Sequence, residues 1–133
     1  MPENGLVTLR AAQGAKETAD RLAAAVTAAG MTVFARIDHA AGAAAVGLTL
    51  RPLEVLIFGN AKGGTPLMQA QPTIGIDLPL KMLVWEDEQG QAWLGYNDPR
   101  FLAQRHGLGA AADPVVDNLS AALKKLAQAL AAF

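Results

Sequence analysis

Apolar residues along the chain alternate with polar ones in some stretches and recur every three or four positions in others, and these two periods divide it into elements. Leu6 to Arg10 alternates, the mark of a half-buried strand, and Gly14 breaks it. From Lys16 to Ala29 a helix is predicted: Ala15, Ala19, Leu22, Val26 and Ala29 share one face, while Glu17, Asp20 and Arg21 stay near solvent. Gly30 is the expected left-handed terminator. Met31 to Asp38 returns to period two. Strict alternation would pack Met31, Val33, Ala35 and Ile37 on the helices and send Thr32, Phe34, Arg36 and Asp38 to the opposite face.

The alanine-rich piece His39 to Val46 predicts a short helical turn, and Arg51-Pro52 punctuates before the next strand, Leu53 to Phe58. Its unbroken run Val55-Leu56-Ile57-Phe58 predicts a central strand covered on both faces. Thr65-Pro66 has the form of an N-cap with proline at the first helical position, opening a helix through Leu67, Met68 and Ala70 that Pro72 ends. Thr73 to Pro79 is expected to be irregular. Lys81 to Glu86 and Gln91 to Tyr96 form a hairpin around Asp87-Glu88-Gln89-Gly90. Asp98-Pro99 opens a helix stopped by Gly107, and Asp113-Pro114 opens the last one. There Val116, Leu119, Leu123, Leu126, Leu130 and Phe133 make a narrow apolar seam for the sheet or for a second subunit.

The predicted order β-α-β-β-α-β-β-α-α describes an α+β protein: a curved, mainly antiparallel sheet of about five strands with helices packed on one face. A doubly wound parallel sheet is the alternative that the hairpin argues against. Residues 1–133 lie within the usual length of one domain, about 100 to 200 residues.

Composition narrows the function classes. Hydrophobic residues make up 52% of the chain, many of them alanine, and alanine in quantity suits closely packed helices or a subunit interface. With 11 basic against 12 acidic residues there is no positive field to gather phosphates, so nucleic acid is not an expected partner. Cysteine is absent, which removes disulfides, thiolate nucleophiles and thiolate metal sites and is compatible with a reducing compartment. The stretch Met1 to Ala15 lacks the pattern of a secretion signal, and no apolar run approaches the roughly 18 residues of a membrane span, so a cytoplasmic protein off the membrane is expected.

Five segments carry a family resemblance: Phe34-Ala35-Arg36-Ile37-Asp38-His39, Leu56-Ile57-Phe58-Gly59-Asn60, Gly64-Thr65-Pro66-Leu67-Met68, Gly75-Ile76-Asp77-Leu78-Pro79-Leu80 and Tyr96-Asn97-Asp98-Pro99. Together they resemble the bacterial family catalogued as domain of unknown function 302, over all but the C-terminal helix. The resemblance implies a compact domain of the TATA-binding-protein-like kind, a curved antiparallel sheet packed by helices, often a homodimer. It implies no reaction. The loop Asn60-Ala61-Lys62 lacks a proline expected after the asparagine.

Candidate chemistry centres on the exit of the second strand. Arg36 and Asp38 share a face by period two, with His39 next in the chain, and an imidazole beside a carboxylate can act as acid or base. The plainer reading is that Asp38 caps the following turn or pairs with Arg36. Gly59 to Thr65 joins a strand to a helix N-terminus, where free N–H groups attract anions, although Lys62 precedes the paired glycines and so does not form a phosphate-binding P-loop. Thr65 as an ordinary cap needs no ligand. Asp77, alone among apolar residues, needs a partner such as Lys81, Arg36 or a backbone amide. His39 and His106 have no local metal-ligand spacing, and His106 suits a helix C-terminus. Ser120 lies inside a helix without a nucleophile turn. Trp85, Trp93 and Tyr96 frame either an aromatic pocket or cross-strand packing.

The reading of the residues is a dimeric small-molecule-binding domain with candidate ligand residues Arg36, Asp38, His39, Asn60, Thr65 and Asp77, needing no metal or cofactor. Two alternatives stay open. One is a small enzyme using His39 with Asp38 or Asp77 as acid and base; the other is a protein-interaction or assembly module glued by the C-terminal seam.

Overall fold

A computed structural model describes residues 3–132. Its five strands are β1 (Leu6–Arg10), β2 (Thr32–Asp38), β3 (Leu53–Gly59), β4 (Leu80–Glu86) and β5 (Ala92–Asn97). They form one open sheet in the order β1-β5-β4-β3-β2, and every neighbouring pair is antiparallel. The helices are α1 (Ala15–Ala28), α2 (His39–Ala45), α3 (Ala61–Ala70), α4 (Pro99–Arg105) and α5 (Asp113–Leu130), with a 3-10 helix at Pro72–Ile76 before β4. The α+β architecture read from the sequence is the observed one.

Helices α1 and α5 lie on one face of the sheet. Ala19, Leu22 and Val26 of α1 and Leu123, Leu126 and Leu130 of α5 meet Leu56, Phe58, Met82, Val84 and Leu94 in the main core. Burying each of the larger side chains contributes about 1.5–3 kcal/mol before conformational entropy is charged against it. A second cluster, Leu67, Ile74, Leu102, Ala103 and Val116, joins α3, α4 and the first half of α5. The seam of α5 is therefore spent on its own chain; Phe133 lies outside the described residues.

The alternation predicted for β2 fails at its middle. Val33 stands opposite Phe58 but Ala35 stands opposite Ile57, so the strand carries an extra residue, a β-bulge at Phe34. Beyond it the faces exchange: Arg36 and Asp38 stand opposite Leu56 and Glu54 on the helix side, while Ala35 and Ile37 turn to the other. β3 is likewise not covered twice. Leu56 and Phe58 are buried under the helices, whereas Leu53, Val55 and Ile57 share the opposite face with Leu83, Trp85, Trp93 and Ile37, and none of these belongs to either buried cluster. Trp85 and Trp93 stack across β4 and β5 with ring centroids 6.2 Å apart. Tyr96, opposite Met82, faces the helices instead, which removes it from the predicted aromatic group.

Two helix starts also differ from expectation. Asn60, whose side chain accepts from the Gly63 N–H at 2.7 Å, caps α3 one turn before Thr65-Pro66, leaving Pro66 inside the helix. Asp113 makes no cap; it accepts from Arg100 at 2.6 Å. Asp98 caps α4 as predicted, by accepting from Arg100 N.

Candidate functional site

The six residues singled out from the sequence fall into separate places. Arg36 is a locked cation: its guanidinium donates to Glu54 and, at 2.7 Å, to Asp20 of α1. Those carboxylates hold its pKa above the ordinary arginine value, and Arg36 in turn lowers that of Asp20. Asp38 accepts from the Ala41 N–H at 2.8 Å and so caps α2, while His39 is the exposed first residue of that helix. Arg36 and Asp38 do line one hollow, with Lys16, Glu54 and Pro52, but His39 is not among its walls.

Asn60 lies at a different opening. A cavity of about 350 Å³ sits where the start of β2, the end of β3, the start of α3 and the middle of α5 converge. Its walls are mainly apolar: Met31, Phe34, Met68, Leu78 and Leu119, with Asn60 and Asn118 as the side chains able to hydrogen-bond. The bulge places Phe34 there, 54% exposed at the rim. Gly63 and Gly64 face Leu119 and Leu78 respectively, each of which would stand 3.4 Å from an added Cβ, at the edge of ordinary contact. No period in the sequence marks this cavity, because its walls come from four segments distant in the chain. Thr65 lies on an exposed side of α3 in a shallow depression with Lys62 and Gln69.

Asp77 is elsewhere again, and its partners are not those expected. Arg105 donates to both of its carboxylate oxygens at 3.0 and 3.1 Å, and His106 Nε2 lies 2.5 Å from Oδ2. On the other side of the imidazole, Nδ1 meets Thr73 Oγ1 at 2.9 Å. The His106 side chain is 8% exposed. Lys81, one of the predicted partners, donates to the Asp77 backbone carbonyl at 3.0 Å rather than to the carboxylate, and burial lowers its pKa. His106 is the helix end expected from the sequence, the C-cap of α4. Its contact with Asp77 spans 29 positions and has no local signal.

An antiparallel sheet with helices packed on one face, a bulged edge strand and an apolar cavity beside it define a small α+β domain. The chain belongs to the DUF302 family, described as a domain of unknown function, whose pattern matches residues 7–126. The fold is that of an uncharacterised conserved DUF302 protein from Bacillus stearothermophilus, with a TM-score of 0.82, 19% identity, and coverage of 93% of this chain and 96% of that one. The chain is also 50% identical over 114 residues to proteins of Brucella suis and Brucella melitensis named fluoride-specific ion channel FluC 1 and FluC 2. That match takes in 86% of this chain but 45% and 42% of those proteins, so the chain spans less than half the length of these relatives. Among the described residues no helix is long and apolar enough to cross a membrane.

Proposed function

We propose that the domain is a small-molecule-binding module whose ligand is an apolar or amphipathic compound seated in the cavity between β2, α3 and α5, and that it works as a pair of identical chains. The observation that carries this reading is the cavity's chemistry. A space of about 350 Å³ falls in the range of small-ligand sites, and its apolar walls with amides at Asn60 and Asn118 suit a hydrophobic body with one hydrogen-bonding head. Arg36, Asp38 and Thr65 support the surrounding fold in this reading, and Asn60 is the one member of the original set at the ligand.

The Brucella relatives suggest a setting. We take the shared half of those proteins to be an extramembrane attachment, with ion passage belonging to the half that this chain does not match. The cavity itself is unsuited to fluoride, because apolar walls cannot replace the hydration of a small anion. Titration with the environment-sensitive fluorophore N-phenyl-1-naphthylamine, followed by competition with alkyl and aryl carboxamides, tests the reading. Saturable binding should weaken at least tenfold in Ala122→Phe, whose ring would fill the cavity. Binding that is unaffected by Ala122→Phe, or no saturable binding, rejects it.

A further inference from the structure

We propose that Thr73 is an activated hydroxyl, and that with His106 and Asp77 it forms an acyl-accepting site for small carboxylic esters, separate from the apolar cavity. Arg105 donates to both oxygens of the Asp77 carboxylate, which accepts. In the neutral tautomer that donates from Nε2 to this carboxylate, 2.5 Å away, Nδ1 is left as a lone pair. The group at Nδ1 is the Thr73 hydroxyl, 2.9 Å away, which donates to the ring in that tautomer. The order hydroxyl, imidazole, carboxylate is that of an oriented general base beside a nucleophile.

Exposure divides the roles. Thr73 lies on the surface, at the second position of the 3-10 helix, while the His106 and Asp77 side chains are 8% and 14% exposed. Water therefore reaches the hydroxyl and is largely kept from the base. In the reaction, Thr73 Oγ forms a bond to the acyl carbon as its proton passes to His106 Nδ1. The imidazolium so formed is stabilised by Asp77. The C–O bond to the alcohol breaks, and the leaving alkoxide takes that proton from Nδ1, giving free alcohol and an acyl ester on Thr73. Water then forms a bond to the acyl carbon as its proton passes to His106 Nδ1, the C–O bond to Thr73 breaks, Thr73 Oγ takes that proton, and the carboxylic acid leaves. Asp77 and Arg105 act through His106 and are positioning residues.

The test uses 4-nitrophenyl acetate with the full chain, reading nitrophenolate release together with intact mass and peptide mapping. The expected result is a burst of one equivalent and an acetyl group on Thr73. Thr73→Ala should abolish both without moving the melting temperature, Thr73→Ser should restore them, and His106→Gln should slow acylation by about 10²-fold or more. Asp77→Asn should lower kcat and leave KM in place, a split that simple loosening of the loop would not give. Acetyl groups found on lysines alone, or a rate equal in wild type and Thr73→Ala, overturn the proposal and leave the cluster as a tie between α4 and the 3-10 helix. Neither result bears on the fluorophore titration, since Thr73, Asp77 and His106 do not line the cavity.

Discussion

Arg36 on β2 stands directly opposite Leu56 on β3, so its side chain rises on the same side of the sheet as the core. There it joins two elements that do not otherwise share a charge partner: α1 through Asp20 and β3 through Glu54. Glu54 is 15% exposed and would lose its cation if Arg36 were truncated. Arg36→Ala should cost about 1 kcal/mol, the upper end for a solvent-screened ion pair. Urea unfolding checks the size, and a double-mutant cycle with Glu54→Gln should show coupling; additive effects would mean that the pair contributes nothing beyond its parts.

The face turned away from α1 and α5 predicts association. Leu53, Val55, Ile57, Leu83, Trp85, Trp93 and Ile37 make the middle of that face apolar across β2 to β5. Its strand charges are Arg10, which lies over the Trp93 ring, and Lys81, whose ammonium is turned to the Asp77 and Pro79 carbonyls, so two such faces can meet with little repulsion. Light scattering should give twice the 13.8 kDa chain mass at micromolar concentration, and Ile57→Glu or the gentler Ile37→Glu should reduce it to the single chain. A wild-type monomer, or a dimer indifferent to both changes while the circular dichroism is native, contradicts this.

Gly5 precedes β1 with φ +75°, and a Cβ there would stand 2.3 Å from the Phe101 ring of α4. Both the conformation and the contact demand glycine. Gly5→Ala should destabilise by about 2–4 kcal/mol, adding the backbone penalty to overpacking. Thermal melts of Gly5→Ala and Gly30→Ala separate the two terms, because at Gly30 the φ is +82° with open space around it.

Asp87 organises the hairpin turn. Its carboxylate accepts from the N–H groups of Gln89 and Gln91, each at 2.9 Å, and from Trp93 Nε1 at 2.8 Å. The Trp93 bond, first among the causes, holds its pKa below the ordinary 3.8. A depressed folded-state pKa stabilises the fold above the unfolded value, and that contribution is lost as pH falls through the lower one. Tryptophan emission should therefore change in an acid step below pH 3.8. Asp87→Asn should remove the step; an identical titration in that variant would assign it to another carboxylate.

The parts of the fold readable in advance are those where local chemistry and tertiary contacts agree. Gly30 ends α1, Asp98 caps α4, the turn after Glu86 makes the hairpin, and the α5 seam is buried as its spacing implied. Where they disagree, the long-range contact decides. Alternation in β2 assumes regular pairing, and the extra residue at Phe34 is a property of β2 and β3 together. Thr65-Pro66 is a sound local start for a helix, but Asn60 satisfies the Gly63 N–H and begins it earlier. Of the candidate residues, Arg36 and Asp38 do share a face, as period two requires, yet it is the helix side. The join of His106 to Asp77 and the walls of the cavity depend on segments brought together by the whole fold.

The end of α5 runs on into contact with β1: Ala131 bridges Ala11, and the Ala132 N–H donates to the Arg10 carbonyl at 2.8 Å. One margin of the sheet is thus occupied at that end by the chain's own tail, and the other is bent by the bulge at Phe34. Neither margin offers a long straight row of free backbone groups on which further strands could add. Addition of further strands, the route by which sheets grow into fibrils, is therefore obstructed at both sides.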